Sequence, residues 1–454
     1  MSFIFNFFKN GSKTAAVASG TGKSLAVTDS SKYAQWNKER LIQRIIELEG
    51  GETMFEEPSK KRKAADDTSA VTSSKSKSKA SKKSKKVVRE FDFSKHNTRF
   101  VALKFAYLGW NYNGLAVQKE PTKLPTVESI LLDAMYTCKL IPSLVTQDFK
   151  FSRCGRTDKG VSAMSQVISL NVRSNLTDAE QLDAANDKIE LNYVSILNQQ
   201  LPPDIRVAAV AFRLPEDFDA RFSCKERHYK YLFDKKGLDI EKMREGAKLF
   251  IGENDFRNFC KLDGSKQITN YKRNIVSADV IPFNNDFYCF DLVGSAFLWH
   301  QVRCMMANLF LVGQGLEDPS MITWMLNPET TPQKPIYDMA SDIPLMLYDC
   351  TFDCELEWIE ANVNDYKSIK FRKAVDALRL DYSLKASMTE TFEDILPSSE
   401  CDMRGKTRIN TGDGIGRVVG RYPKMADRDV MASAESVNAK FKRRKENRKL
   451  EESA

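Results

Sequence analysis

The alternation of apolar and polar residues divides the chain into zones that differ in whether they can build a core. Residues 1–30 are rich in Gly, Ser, Thr and Ala and are expected to be disordered. "SKYAQWNKERLIQRIIELEGG" then sets Trp36, Leu41, Ile45 and Leu48 at helical spacing and stops at Gly50-Gly51, which predicts one amphipathic helix over 31–51. Residues 52–92 form a Lys/Ser linker with too little apolar surface to fold. From Phe93 the pattern changes. "TRFVALKFAYLG" reads as a strand, "TVESILLDAMYTCKLI" as a helix capped by Thr126, and "SQVISLNVRS" as a half-buried strand, with Ile168, Leu170 and Val172 on one face. "IELNYVSILNQQLPPD" reads as a helix and "IRVAAVAFRL" as a strand, completing a first unit over 93–214.

A second unit over 215–356 follows the same rhythm. "RHYKYLFD" puts Tyr229, Tyr231 and Phe233 on one strand face and His228, Lys230 and Leu232 on the other. Helix "DIEKMREGAKLFIG", strands "NIVSADVI" and "DFYCFDLVG", apolar helix "FLWHQVRCMMANLFLVGQG", short helix "DPSMITWMLNP" and strand "PLMLYDCTFD" complete it. Strict βαβ alternation is missing, so the expected class is α+β, with a mixed, mainly antiparallel sheet in two similar α/β subdomains. Residues 357–454 read as an extension, helical near "SIKFRKAVDALRL" and basic at its end.

Composition narrows the classes. The 454 residues are 42% hydrophobic and 29% charged, and no apolar run approaches the roughly 20 residues of a membrane span. "MSFIFNFF" lacks the basic start and the cleavage site of a secretory signal. Nine cysteines without a CxxC pair, and three separated histidines, assemble no zinc spacing, so buried free thiols, a reducing compartment and no metal are expected. Net charge is +8, but residues 59–89 hold ten Lys and two Arg against two Asp, and "KFKRRKENRK" (440–449) holds seven cations against Glu446. The rest of the chain is therefore net acidic, and a nucleic-acid site would be a local patch helped by basic arms. "KKRK" (60–63) suits a nuclear address, an RNA-binding arm or a solvated linker. "SGTGKS" fails as a phosphate-binding loop because Val17 stands where the first glycine is needed.

The densest chemistry is "CGRTDKGVSA" (154–163). A charged turn accounts for it simply: Asp158 bonds backbone amides and Gly160 takes a positive φ. Against that, Arg153, Arg156 and Lys159 surround one carboxylate, which would hold Asp158 ionised and create an anion site. With an aromatic platform from Tyr229 and a second arginine from Arg303, the set suits a planar base on a phosphate backbone.

"GRTDKGVSA", "RHYKYLF", "FLWHQVRCMMANL" and "PLMLYDC", in that order, resemble the four motifs of TruA-type tRNA pseudouridine synthases, over about residues 95–355. "YLGWNYNGLAVQKEPTKLPTVESILLDAM", the N-terminal helix and the Lys-rich linker resemble the eukaryotic members that modify uridines 38 and 39 of the anticodon stem-loop. The resemblance implies the pseudouridine synthase fold, with the two subdomains flanking an RNA-binding cleft. It makes Asp158 the catalytic carboxylate with Arg156 beside it, Tyr229 the ring that stacks on uracil, Arg303 the partner of Asp158, and Leu345 part of the base pocket. Arg153, Lys159, Lys225, Arg227 and Lys230 are expected at phosphates. The expected partners are tRNA and a second subunit, in nucleus and cytoplasm, with no cofactor, nucleotide or metal. A related synthase with other target uridines, or a noncatalytic tRNA-binding protein, are the alternatives.

Overall fold

A computed structural model describes residues 91–118, 120–284, 286–362, 364–396 and 405–453. The N-terminal segment, the expected helix over 31–51 and nearly all of the basic linker lie outside them. Among the described residues no helix is long and apolar enough to cross a membrane.

Strand β1 (Asn97–Tyr107), exposed at its start and buried at Val101, Ala102 and Leu103 in succession, is followed by helix α1 (Val127–Thr137). Thr126 caps α1 with its side chain accepting from Ser129 N, and Ser129 reciprocates toward Thr126 N. Short β2 (Ser152–Arg153) precedes the long β3 (Ser162–Ser174). Helix α2 (Tyr193–Asn198) is much shorter than its apolar pattern suggests, because the Asn192 side chain caps it only at Ser195 N and the turns toward Pro202 are not helical. The chain continues through β4 (Ile205–Ala211), β5 (Cys224–Asp234), α3 (Ile240–Lys248), β6 (Gly252–Asp255), β7 (Lys272–Pro282) and β8 (Phe287–Gly294). Next come α4 (Gln301–Gly313), α5 (Ser320–Leu326), β9 (Leu345–Phe352) and β10 (Ile359–Glu360). The extension holds α6 (Tyr366–Glu393), a small β11 (Thr407–Ile409) and β12 (Arg417–Val419) pair, and α7 (Ala434–Ser453).

One ten-stranded sheet runs β10-β4-β1-β3-β9-β5-β8-β7-β6, with β2 on β3. Its pairings are antiparallel except β3 with β9, a parallel junction of two residue pairs, Ser162–Met346 and Ala163–Leu347. That junction is a seam. One apolar core lies on the β1/β3/β4 half with α1 and α2, the other on the β5–β8 half with α3, α4 and α5, and Tyr229 packs against both. Met425 and Ala434 are buried in the second core, so part of the extension belongs to that body. The mixed, mainly antiparallel α+β architecture is the one the sequence pattern implies.

Helix α4 begins four residues later than its apolar run. His300 adopts a left-handed conformation (φ 61°), rare for a residue with a side chain, and diverts residues 295–300 into a loop.

Candidate active site

The "GRTDKG" segment leaves β2 and returns as β3 at the seam, so its side chains project where the two cores meet. Two backbone links hold it against the loop that follows β1. Gly160 N–H donates to Tyr112 O (3.3 Å), and Leu115 N–H donates to Thr157 O (3.1 Å). Thr157 and Tyr107 share a buried hydroxyl–hydroxyl bond of 2.7 Å. Gly160 has φ +79°, and a Cβ there would lie 2.6 Å from Asp342 Oδ2, so both conformation and space demand glycine. Asp158 is thus fixed by its frame.

A cleft of about 930 Å³ opens over this loop. Asp158, Tyr229, Arg303 and Leu345, four points far apart in the chain, all line it, as do Arg153, Arg156 and Arg227. With Arg221, Lys266 and Arg273 the lining holds seven cations against the carboxylates Asp158 and Asp263. A net acidic body therefore carries a concentrated basic cleft.

Asp158 shows only 28% of its side chain. Burial raises its pKa from 3.8 to about 6, opposed chiefly by the Arg303 guanidinium, then by the Trp299 side chain and Lys261, while Asp342 pushes it further up. The sequence expectation that Arg153, Arg156 and Lys159 tune it is corrected. Arg153 Nη2 donates to Glu128 Oε1 at 2.9 Å, and Arg156 and Lys159 are exposed. Arg303 acts through space: its Nε donates to Ala340 O (2.8 Å), and no ion pair within 4.0 Å joins it to Asp158 among the described residues.

His300 and Trp299 are site residues that the sequence did not single out. His300 Nε2 lies 3.6 Å from Asp158 Oδ2. Burial, with Arg303 and Lys261 nearby, lowers its pKa to about 4, so at neutral pH it is an uncharged neighbour and forms no ion pair. Lys261 Nζ sits 4.6 Å over the Trp299 ring, and its amide donates to Trp299 O, which anchors the loop. The left-handed His300 is the signal, and it is conformational, so no spacing rule displays it.

Tyr229 meets Phe297 edge-on at 5.0 Å, and burial holds its hydroxyl pKa far above 10. Leu345 is buried where β9 starts, opposite Tyr231. Lys159, Lys225 and Lys230 are not among the residues lining the cleft. Lys230, one residue from Tyr229, faces the other side of the sheet, 3.5 Å from Asp291 and over the Tyr348 ring. Arg227 does line the cleft, but its guanidinium is occupied by the carbonyls of Cys154, Arg221, Cys224 and Ser295, which ties four loop and strand segments together.

Beneath the loop, Cys154 Sγ lies 3.0 Å from Cys224 Sγ and 3.1 Å from Cys350 Sγ, all three buried. They are buried free thiols, as expected, but the three sit on different elements, so chain spacing cannot reveal their convergence. The group could hold a metal ion, but it is one ligand short of a closed tetrahedral zinc site.

A family profile described as tRNA pseudouridine synthase matches residues 247–353. The tRNA pseudouridine(38/39) synthase of Saccharomyces cerevisiae is 59% identical over 442 residues, covering 96% of this chain and 97% of that protein. The chain belongs to the tRNA pseudouridine synthase family. The tRNA pseudouridine(38/39) synthase of Homo sapiens is 46% identical over 295 residues, 60% of each chain. The tRNA pseudouridine synthase A of Methanosarcina mazei is 35% identical over 262 residues, 58% of this chain and 88% of that protein. In this pseudouridine synthase the matched profile spans most of the second core and so contains Arg303 and Leu345, whereas Asp158 and Tyr229 precede it.

Proposed function

We propose that this protein isomerises uridine to pseudouridine at positions 38 and 39 of tRNA, with Asp158 as the reacting carboxylate. The observation that carries the reading is Asp158 at the floor of a basic cleft, beside Tyr229, Arg303 and Leu345. The reaction breaks the N1–C1′ bond, turns the uracil, joins C5 to C1′, and moves the C5 proton away as N1 gains one. Atoms and oxidation state balance within the nucleotide. An ionised carboxylate serves either by attacking C1′ or by taking the 2′ proton to give a glycal. The target base leaves the stack at a cost of a few kcal/mol, offset by contacts in the pocket. Arg153, Arg156, Arg221, Lys266 and Arg273 would meet phosphates, which position the RNA without reading its sequence.

Tyr229 supplies a ring and a hydroxyl that can be separated. Tyr229→Phe, which retains the ring, is expected to slow turnover about 100-fold if the phenol moves the C5 proton, with tRNA affinity unchanged. Single-turnover assays check this, and a Phe variant with full rate would leave Tyr229 a stacking role only.

Helix α7 extends the basic surface. Gln267 Nε2 donates to Asn438 O (3.1 Å) and Asn438 Nδ2 to Ile268 O (2.8 Å), docking its start beside the loop that carries Lys266. The seven cations of 440–449 are all exposed. Replacing them with Gln is expected to weaken tRNA binding and to reduce the slope of log affinity against log salt by about 0.7–0.9 for each phosphate that a cation no longer neutralises. Filter binding across a salt series measures it.

The homodimer and the nuclear and cytoplasmic location belong to this proposal, the first on the family resemblance and the second on the "KKRK" run. Site-resolved pseudouridine mapping on an unmodified tRNA bearing U38 and U39 tests the whole reading. Modification elsewhere would overturn the positions, and none on any tRNA the activity.

A further inference from the structure

The connection between α5 and β9 carries part of the site without being a helix or a strand. On its inner side Arg303 Nε donates to Ala340 O (2.8 Å) and Ala340 N–H donates to Arg303 O (3.3 Å), a reciprocal pair that ties the connection to α4. Two residues on, Asp342 fills the space beside Gly160 and is one of the charges that act on Asp158. Leu345 follows and opens β9. Such a segment has no ladder of its own, so its remaining backbone groups need partners from elsewhere.

The C-terminal extension supplies them. Met431 N–H donates to Lys334 O and Ile336 N–H to Asp429 O, both at 2.8 Å. Ser341, the residue between Ala340 and Asp342, donates its N–H to Thr411 O at 2.7 Å. The extension therefore grips the connection at both ends, and at one end it does so between the two residues that face Arg303 and Gly160.

Thr411 stands in the turn that joins β11 to β12, and that turn is itself fixed on the second core. Gln314, at the C-terminal end of α4, donates from Nε2 to Arg408 O (2.8 Å) and accepts at Oε1 from Asn410 N–H (2.8 Å). The helix that carries Arg303 thus also holds the turn. Gly412 has φ +73°, and a Cβ there would strike the Tyr231 hydroxyl and lie 3.1 Å from the Phe310 ring. Tyr231 pairs with Leu345 in β5–β9 and shares a strand face with Tyr229, so the turn seats directly behind the residues that line the cleft.

We propose that the turn over residues 410–412 is a positioning element of the active site, with Gln314 and Gly412 as positioning residues that act through the Ala340–Asp342 segment on Arg303 and Asp158. The proposal rests on the catalytic reading above and gives the extension a part in the reaction besides carrying the basic helix α7. A displacement of about 1 Å at a reacting group can cost on the order of 100-fold in rate, so a loosened support is expected to appear in turnover before it appears in binding.

Single-turnover pseudouridine formation and tRNA affinity of the full-length protein, with hydrogen exchange of the same samples, test this. Gln314→Ala, which removes both side-chain bonds to the turn, is expected to lower the rate about tenfold with affinity within about twofold of wild type. The Ser341 and Ala340 amides should exchange faster in that variant, while those of β1 and β3 keep their protection. Gly412→Val should act in the same direction and more strongly, and Gln314→Ala carries the test if the valine variant does not fold. In a double-mutant cycle, R303Q/Q314A should be no slower than R303Q, because the second change has no positioned guanidinium left to disturb. A Q314A variant with wild-type rate would overturn the proposal, as would a full tenfold loss added on top of R303Q, or a loss of affinity with the rate intact. A wild type that makes no pseudouridine would instead overturn the catalytic reading, so the two failures are distinct.

Discussion

Asp158→Asn is expected to lower pseudouridine formation by about 10⁴-fold or more while leaving tRNA affinity within a few-fold. The amide keeps the size and place of the carboxylate in a loop fixed by Gly160, Thr157 and the backbone links to residues 112 and 115. What it loses is the charge that either attacks C1′ or removes the 2′ proton, and the neutral His300 at 3.6 Å carries none to replace it. A second readout confirms that the variant is folded. The native pKa of Asp158, about 6, lies above its ordinary 3.8, so folding disfavours the ionised form. The group's contribution is most favourable below pH 3.8 and is lost as pH rises through about 6. At pH 8 the lost amount approaches about 3 kcal/mol, from 1.36 kcal/mol per pKa unit, and a neutral Asn recovers part of it. The inactive variant should therefore melt at a higher temperature than wild type at pH 8, and at nearly the same temperature at pH 4. An inactive variant that melted lower at pH 8 would point to a damaged loop instead of a missing carboxylate.

The strands were the most legible part of the sequence, because each half-buried strand repeats one choice every two residues. Ile168, Leu170 and Val172 face a core in β3, and Tyr231 and Phe233 face one in β5. Helix ends were less legible. The apolar run before α4 continues a helical pattern back to Phe297, yet His300 turns left-handed and residues 296–300 line the cleft. Nothing in the hydrophobicity of "FLWH" encodes that turn.

The site divides along the same line. Asp158, Tyr229, Arg303 and Leu345 were found through motif order, and they share one cleft because three of their elements meet at the β3–β9–β5 seam and α4 borders it. The cations assigned to Asp158 and to phosphates were chosen for closeness in sequence, which fails where side chains alternate across a strand. Lys230 is one residue from Tyr229 and lies on the opposite face, while Lys261 is 103 positions from Asp158 and acts on it. Long-range charge depends on the fold.

Arg303 carries the second large effect. The reacting form of Asp158 is the carboxylate, so the wild-type rate should rise tenfold per pH unit below about 6 and level off above it. The Arg303 guanidinium is the strongest influence holding that pKa down against burial, and its Nε–Ala340 bond fixes where the charge sits. Arg303→Gln removes the charge and leaves burial and Asp342 to push the carboxyl upward. The acid limb should then move to higher pH, with turnover at pH 7 falling about 100-fold and part of the loss regained at pH 9. Arg303→Lys keeps a charge but gives up the planar donor, and should shift the limb less while still losing rate. Rate–pH profiles of single turnover on tRNA, taken from pH 5 to 9 for the three proteins, separate the two contributions. A Gln variant whose rate fell equally at every pH would show that Arg303 positions the substrate or the loop and does not set the charge state of Asp158.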